Sequence, residues 1–444
     1  MGRLLRFFGV TLTAASVACG DESLPPSMTR DGGVAADAGS APPTLALSPE
    51  LVAGLDTDAV LGSPLDLVVL PDGRPAVLYA AVPAGEIRRR FRLAVRTGAD
   101  QWEANEAFEP AASLTSQGNL LAVSAAVWEG SLHAAYLGGD DDGNAITPYA
   151  TDLMLATRSG SSWAERVLVD TSGESMGDCP DLQDYCNFGN VVGSHAALAT
   201  DGNGAWAVAY RDTHGGLGAD DEGRSDLEIY SSAGGARLAD GERGGGLWSN
   251  LAFLPDGKLV GVHVRESVIA GQQNRGIQVV RETSSGFEST PLVDSATSQR
   301  IALGVAPDGQ IWIAWSDPSA NDLMVATATR AAGPFQVSAV DSAGVVGLHP
   351  DLAIAPDGAP WIVYGYCGPT GSSSCPGDPG ARAEVRLARL EGASWDIQTI
   401  SDGEGRGAVG FFNRIEFLPD GRAMVVTQDL ENSDILGVVV QESP

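Results

Sequence analysis

The sequence predicts an all-β fold that repeats one small sheet around an axis, and three observations carry that prediction. First, an Asp-Gly pair stands between two apolar runs six times: Asp72-Gly73, Asp201-Gly202, Asp256-Gly257, Asp308-Gly309, Asp357-Gly358 and Asp420-Gly421. A degenerate seventh copy, LLAVSAAVWEGSLHAAY, puts Glu129-Gly130 at the same place. Asp-Gly between alternating apolar residues signals a hairpin, because the turn needs positive φ and glycine adopts it without steric cost. Second, no long stretch of helical period follows the N-terminus, while the chain carries 56 glycines, as many turns require. Third, the last repeat is one strand short, and the N-terminal piece Leu51 to Leu61 has no hairpin of its own. Seven copies at intervals of about fifty to seventy residues predict a seven-bladed β-propeller of four-stranded antiparallel blades.

Length alone, 444 residues, would predict two or three domains. Blades bury their faces only on one another, however, so residues 45–444 are expected to form a single ring. Upstream, Arg3 and Arg6 precede an apolar segment from Phe7 to Ala18, too short to span a bilayer. It ends Ser16-Val17-Ala18-Cys19. Residues 1–19 thus resemble a bacterial lipobox signal, although Ser16 stands where that pattern prefers leucine; a plain secretory signal is the alternative. The resemblance implies that Cys19 is acylated, becomes the mature N-terminus and anchors the protein with no crossing segment. Gly20, in place of an inner-membrane-retaining Asp, implies the outer membrane. Residues 20–44 are rich in Gly, Ala, Ser, Pro and Asp and read as a flexible tether.

Within each repeat, a third run ends near an alanine and a fourth often opens on an aromatic. Examples are Asp152-LMLATR then Trp163, Asp322-LMVATAT then Phe335, Val385-RLARL then Trp395, and Phe91-RLAVR then Trp102. Those aromatics are expected to pack between neighbouring blades. The last repeat stops without a fourth strand, so the N-terminal piece is expected to supply it and close the ring, leaving no unpaired edge.

Charge narrows the partners. Against 57 acids stand 27 bases, with Lys258 the only lysine, for a net charge of −30. Nucleic acid and anionic lipid surfaces are disfavoured by such a balance. Apart from Cys19, the cysteines form two local pairs, Cys179 with Cys186 and Cys367 with Cys375. Without CxxC spacing or a nearby histidine, they suggest disulfides in an oxidising compartment, with a metal site as the weaker alternative.

Strand direction puts the Asp-Gly turns on one face of the ring. The long connections fall on the other: Gly138 to Thr151, Asp170 to Ser194, Asp212 to Ser225 and Cys367 to Ala383. Long loops on a rigid scaffold are where binding concentrates. The residues six before each turn acid should ring the channel mouth on that face: Asp66, Val123, His195, Asn250, Ala302, Asp351 and Arg414. Of these, Asp66, His195, Asn250, Asp351 and Arg414 are the candidate binding residues. Asp140, Asp142 and Asn144 have the oxygen spacing of a calcium loop, but Ala145 and Thr151 replace the Gly and Glu such a loop needs. No other cofactor is indicated. No HExxH, GxSxG or repeated Asp-box motif points to catalysis.

By its repeated xPDG hairpins after a lipobox, the chain resembles the bacterial β-propeller lipoproteins. The resemblance implies a monomeric, outer-membrane-anchored module that binds a protein, glycan or small ligand through its long-loop face without catalysis. A propeller-fold glycosidase or lyase acting on extracellular glycans is the alternative.

Overall fold

The structure, a computed structural model, describes residues 45–54, 58–60, 64–86, 89–109, 122–139, 151–170, 191–213, 225–242, 244–269, 272–294, 300–369, 383–402 and 408–442. Its first strand is β1 (Leu45–Ala53). The first blade comprises β3 (Asp66–Val69), β4 (Pro75–Pro83), β5 (Arg90–Gly98) and β6 (Gln101–Glu106), with the short β2 (Asp58–Val60) also paired to β4. Blade two is β7 (Val123–Trp128), β8 (Ser131–Gly138), β9 (Asp152–Ser159) and β10 (Ser162–Val169). Blade three is β11 (Val191–Thr200), β12 (Trp206–Thr213), β13 (Ser225–Ser231) and β14 (Gly235–Asp240). Blade four is β15 (Leu247–Phe253), β16 (Leu259–Ile269), β17 (Gln272–Thr283) and β18 (Gly286–Val293). Blade five is β19 (Ala302–Val305), β20 (Ile311–Asp317), β21 (Asp322–Ala328) and β22 (Gln336–Asp341). Blade six is β23 (Val346–Ile354), β24 (Pro360–Tyr366), β25 (Glu384–Glu391) and β26 (Ser394–Ser401). Blade seven takes β27 (Phe411–Phe417), β28 (Ala423–Asp429) and β29 (Asp434–Glu442), and β1 completes it by pairing antiparallel with β29.

The fold is thus a seven-bladed β-propeller sealed by its N-terminal strand, as the sequence predicts, but that strand is Leu45–Ala53 and not the piece Leu51 to Leu61, of which residues 58–60 pair with β4 in blade one. Its core is not one mass but seven apolar clusters, each between two successive blades. The cluster joining blades seven and one holds Val52, Leu67, Tyr79, Phe412 and Met424, and closes the circle. Aromatics opening the fourth strands pack into these seams as expected: Trp163 meets Phe108 edge-on at 5.1 Å and Trp395 meets Trp312 at 6.3 Å.

The turns explain why aspartate recurs. In blade seven the Leu418 amide donates to Arg422 O, Gly421 has φ 85°, and Asp420 Oδ1 accepts the Arg422 amide at 3.1 Å. The same three features recur at Asp72, Asp256, Asp308 and Asp357. Glycine supplies the left-handed conformation and the aspartate side chain caps the turn.

Blade three departs from this register. There it is the Asp201 amide that donates to Ala205 O, so Asp201 stands where Leu418 or Ala355 stands elsewhere and the turn proper lies two residues later. Blade two differs as well, being closed by a two-residue turn at Glu129 (φ 51°) and Gly130 (φ 73°). Counting back from the turn acid therefore misplaces two rim positions. Ala197 takes the place assigned to His195, and Ser124 the place assigned to Val123.

Candidate functional site: the channel mouth

The corrected rim is visible in the hydrogen bonds that tie each innermost strand to the next. Asp66 Oδ2 accepts the Ala125 amide of blade two at 2.6 Å. Ser124 Oγ accepts the Leu198 amide of blade three at 3.0 Å, and Asp351 Oδ2 accepts the Ile415 amide of blade seven at 3.0 Å. Arg414 completes the series by donating to Asp66 Oδ1 at 2.6 Å, with its Nη1 3.6 Å from Asp351. Of the five candidate residues, the structure brings Asp66, Asp351 and Arg414 together, as clasps between blades.

Two residues inward from Arg414, Glu416 reaches solvent in the channel while protein crowds it from all sides. That crowding, with the charges of Asp351 and Asp66, pushes its pKa up to about 8 against a smaller opposing pull from Arg414. Burial, and then Asp66, likewise hold Asp351 well above the usual carboxylate range.

His195 and Asn250 lie elsewhere on the rim, in a cleft of about 30 Å³ lined also by Pro64, Val123, Trp248, Ser249 and Arg300. His195 belongs one rung above the clasps. In register with it stand Pro64, Ala122, Trp248, Arg300, His349 and Phe412, one residue from each blade. Four of these show a left-handed backbone: His195 (φ 53°), Trp248 (φ 51°), His349 (φ 45°) and Phe412 (φ 50°). Each marks a bulge in its inner strand, where the pairing register shifts. Each also follows, two residues on, a positive-φ glycine: Gly193, Gly246, Gly347 and Gly410.

Those glycines are dictated by close approach. A Cβ on Gly246 would sit 2.8 Å from Asp226 O and 2.9 Å from Arg211 Cα of the preceding blade; one on Gly410 would sit 2.9 Å from Gly365 Cα. The Gly246 amide donates to His263 Nδ1 at 3.0 Å, and that of Gly410 to Thr427 Oγ1 at 3.0 Å. The recurring Gly-x-aromatic triplet therefore moulds the mouth. It is present in the sequence as Gly193-Ser-His195, Gly246-Leu-Trp248, Gly347-Leu-His349 and Gly410-Phe-Phe412. Alignment on the Asp-Gly turns brings three of the four together, with the aromatic eight residues before the acid, and displaces only the blade-three copy by two.

Electrostatically the mouth is mild. Burial first, then Arg211, drives the His195 pKa down to about 3, and burial takes His349 to about 4, so both are neutral imidazoles near pH 7. His195 meets Trp248 edge-on at 4.8 Å, and Ser249 Oγ donates to His195 O. No group of three or more His, Cys, Asp or Glu suited to a metal occurs among the described residues. The calcium candidates Asp140, Asp142 and Asn144 lie outside them, as do Cys19, Cys179, Cys186 and Cys375. Cys367 is buried and disulfide-bonded.

No family model matches the chain, and no curated protein matches it. Among solved structures it is similar to the NanB sialidase of Streptococcus pneumoniae, at 10% identity over 89% of this chain and 70% of that one, TM-score 0.45. The sialidase of Trypanosoma rangeli gives 9% identity, 85% and 58% coverage and TM-score 0.45. The α-L-arabinofuranosidase Arb93A of Fusarium graminearum gives 9%, 89%, 97% and 0.46. At these values the likeness carries neither substrate nor chemistry to this chain.

Proposed function

We propose that this protein is an extracytoplasmic binding module, tethered through an acylated Cys19, that holds its ligand at the channel mouth of the long-loop face without transforming it. One observation carries the reading. Four bulky residues around a single opening, His195, Trp248, His349 and Phe412, stand in a backbone conformation that costs on the order of 1 kcal/mol or more each. Strain maintained around one opening favours a surface shaped for something other than folding.

The rim acids support binding over catalysis. Asp66 and Asp351 each hold the amide of the next blade through Oδ2, a clasping role that accounts for acids at these rim positions. A glycosidase reading has one feature on its side, the Glu416 carboxyl kept protonated near neutrality in the channel.

One panel tests both readings: calorimetric titration and turnover assays with neutral and acidic sugars, amino acids and aryl glycosides. Saturable binding that Trp248→Ala abolishes, with no turnover, is the expected result. Turnover lost in Glu416→Gln would replace the binding reading with the hydrolytic one. Mass spectrometry of the mature N-terminus tests the tether, where an unmodified cysteine or a different cleavage site would refute it.

A further inference from the structure

Arg300 is the residue of the mouth whose charge has no counterpart among the described residues. Its Nη1 is buried, and it meets no acceptor among the described residues. Shortage of acids is not the reason, since the chain has 57 of them for 27 bases. Other arginines pair with an acid even where one nitrogen, such as Arg389 Nε, meets no acceptor: Arg414 with Asp66 at 2.6 Å, Arg386 with Asp341 at 3.1 Å, and Arg389 with Glu442 at 2.9 Å. A buried guanidinium nitrogen without an acceptor is costly, so its persistence asks for a partner that comes from outside.

We infer that the cleft receives the carboxylate of a small organic acid on the Arg300 guanidinium, with Trp248 flanking the rest of the molecule. This deepens the binding reading above and rests on it.

Three features of the cleft select that ligand. None of the described residues that line it is acidic, so among them an anion meets no repulsion and a cation no attraction. Asn250 uses its Oδ1 on the Leu251 amide at 2.9 Å, which leaves its NH2 group as a second donor beside the guanidinium. His195 Nδ1 is buried without a partner on the same wall. A planar guanidinium fork matches a carboxylate in shape and charge better than any other group in a protein. The cleft is small and opens outward, so a ligand anchored on Arg300 would carry its remainder over the indole.

Matched pairs that differ only in charge test this: benzoate against benzamide, and glucuronate against glucose, titrated calorimetrically into the whole protein. The acids should bind about tenfold or more tightly than their neutral partners, and Arg300→Gln should weaken the acids about tenfold without lowering the melting temperature of the free protein. If Arg300→Gln does not fold, Arg300→Lys, which keeps the charge and loses the fork, reads the same contrast. Neutral partners binding as well as the acids, with Trp248→Ala still disruptive, would overturn the carboxylate and leave the mouth as the site. Acid binding indifferent to both Arg300→Gln and Trp248→Ala would overturn the mouth as well. No heat from either acid would overturn the inference.

Discussion

Arg414 in the last blade donates to Asp66 in the first at 2.6 Å, across 348 positions of sequence. The other oxygen of the same carboxylate accepts the Ala125 amide, so one aspartate joins blades seven, one and two. Both side chains are nearly buried, at 10% and 12% exposure. Removing one partner of such a pair leaves a buried charge uncompensated, which costs about 3–5 kcal/mol. Asp66→Asn is therefore expected to lower the unfolding free energy by that order in urea melts. Combined with Arg414→Gln it should cost less than the sum of the singles, by about 1–3 kcal/mol. Strict additivity would show that the two side chains are not coupled.

The same seam is latched again at the outer rim. Glu50 of β1, 6% exposed, accepts from Arg96 Nε at 2.9 Å and from Trp102 Nε1 at 2.9 Å, both in blade one. Deleting residues 45–53 removes this latch, uncovers the β29 edge and opens the cluster around Val52 and Ala53. The truncated chain is expected to melt at lower temperature and to aggregate through the freed edge. Light scattering and a melting curve identical to those of the intact chain would refute closure by β1. Burial alone would raise the pKa of Glu50, but its bonds to Arg96 and Trp102 and the Asp100 amide outweigh that and hold it lowered. Its contribution is therefore present above the unfolded value and fades as pH falls through the folded one.

The architecture was legible in the sequence because its signals are local. A turn needs Asp-Gly in a fixed place, and a missing fourth strand shows as a missing run of residues. The mouth was only half legible. Asp66, Asp351 and Arg414 were found by counting from the turns, but they turn out to face the neighbouring blade. His195 was found by the same count for the wrong reason, since the blade-three turn is two residues late. Trp248 and Arg300 escaped, because a bulge shifts register without leaving a gap in the hydrophobic pattern, and because an unpaired cation is defined by what does not surround it. The glycine two residues before each aromatic was the signal available: it stands ten residues before the turn acid in blades four, six and seven, and alignment on the inner strand adds blade three.

Acid–base behaviour should separate the two sides of the mouth. Glu416 has its folded pKa raised to about 8, so its contribution to stability is fully present below the unfolded value near 4.5 and lost as pH rises through 8. His195 and His349, lowered to about 3 and 4, act the other way on acidification: their contribution is present above about 6.5 and lost as pH falls toward the folded values. Melting temperature against pH should therefore decline at both ends. In Glu416→Gln the alkaline decline between about pH 5 and 8 should flatten while the acidic decline remains. A wild-type curve parallel to that of Glu416→Gln through this window would mean that the carboxyl titrates normally.

The glycine bulges yield the sharpest contrast. Gly246 (φ 82°) has backbone of the preceding blade at 2.8 and 2.9 Å from the position of an added Cβ, whereas Gly421 (φ 85°) has open space there. Both substitutions by alanine force a left-handed alanine, at about 1 kcal/mol. Only Gly246→Ala adds a collision that neither backbone can relieve without separating two blades, so it should cost at least about 2 kcal/mol more than Gly421→Ala. The separation should reach Trp248, because Gly246 is also the residue fixed by His263. That imidazole is fully buried, accepts the Gly246 amide on Nδ1, and so presents its Nε2 proton to Asp240 Oδ2 at 3.0 Å. His263→Ala should therefore displace the Trp248 bulge with no clash at all, leaving the Gly246 amide without an acceptor. Ligand binding at the mouth weakened in both Gly246→Ala and His263→Ala, and unchanged in Gly421→Ala, is the expected pattern. Equal losses of stability in the two glycine variants would show that the mouth is not held by contact between blades.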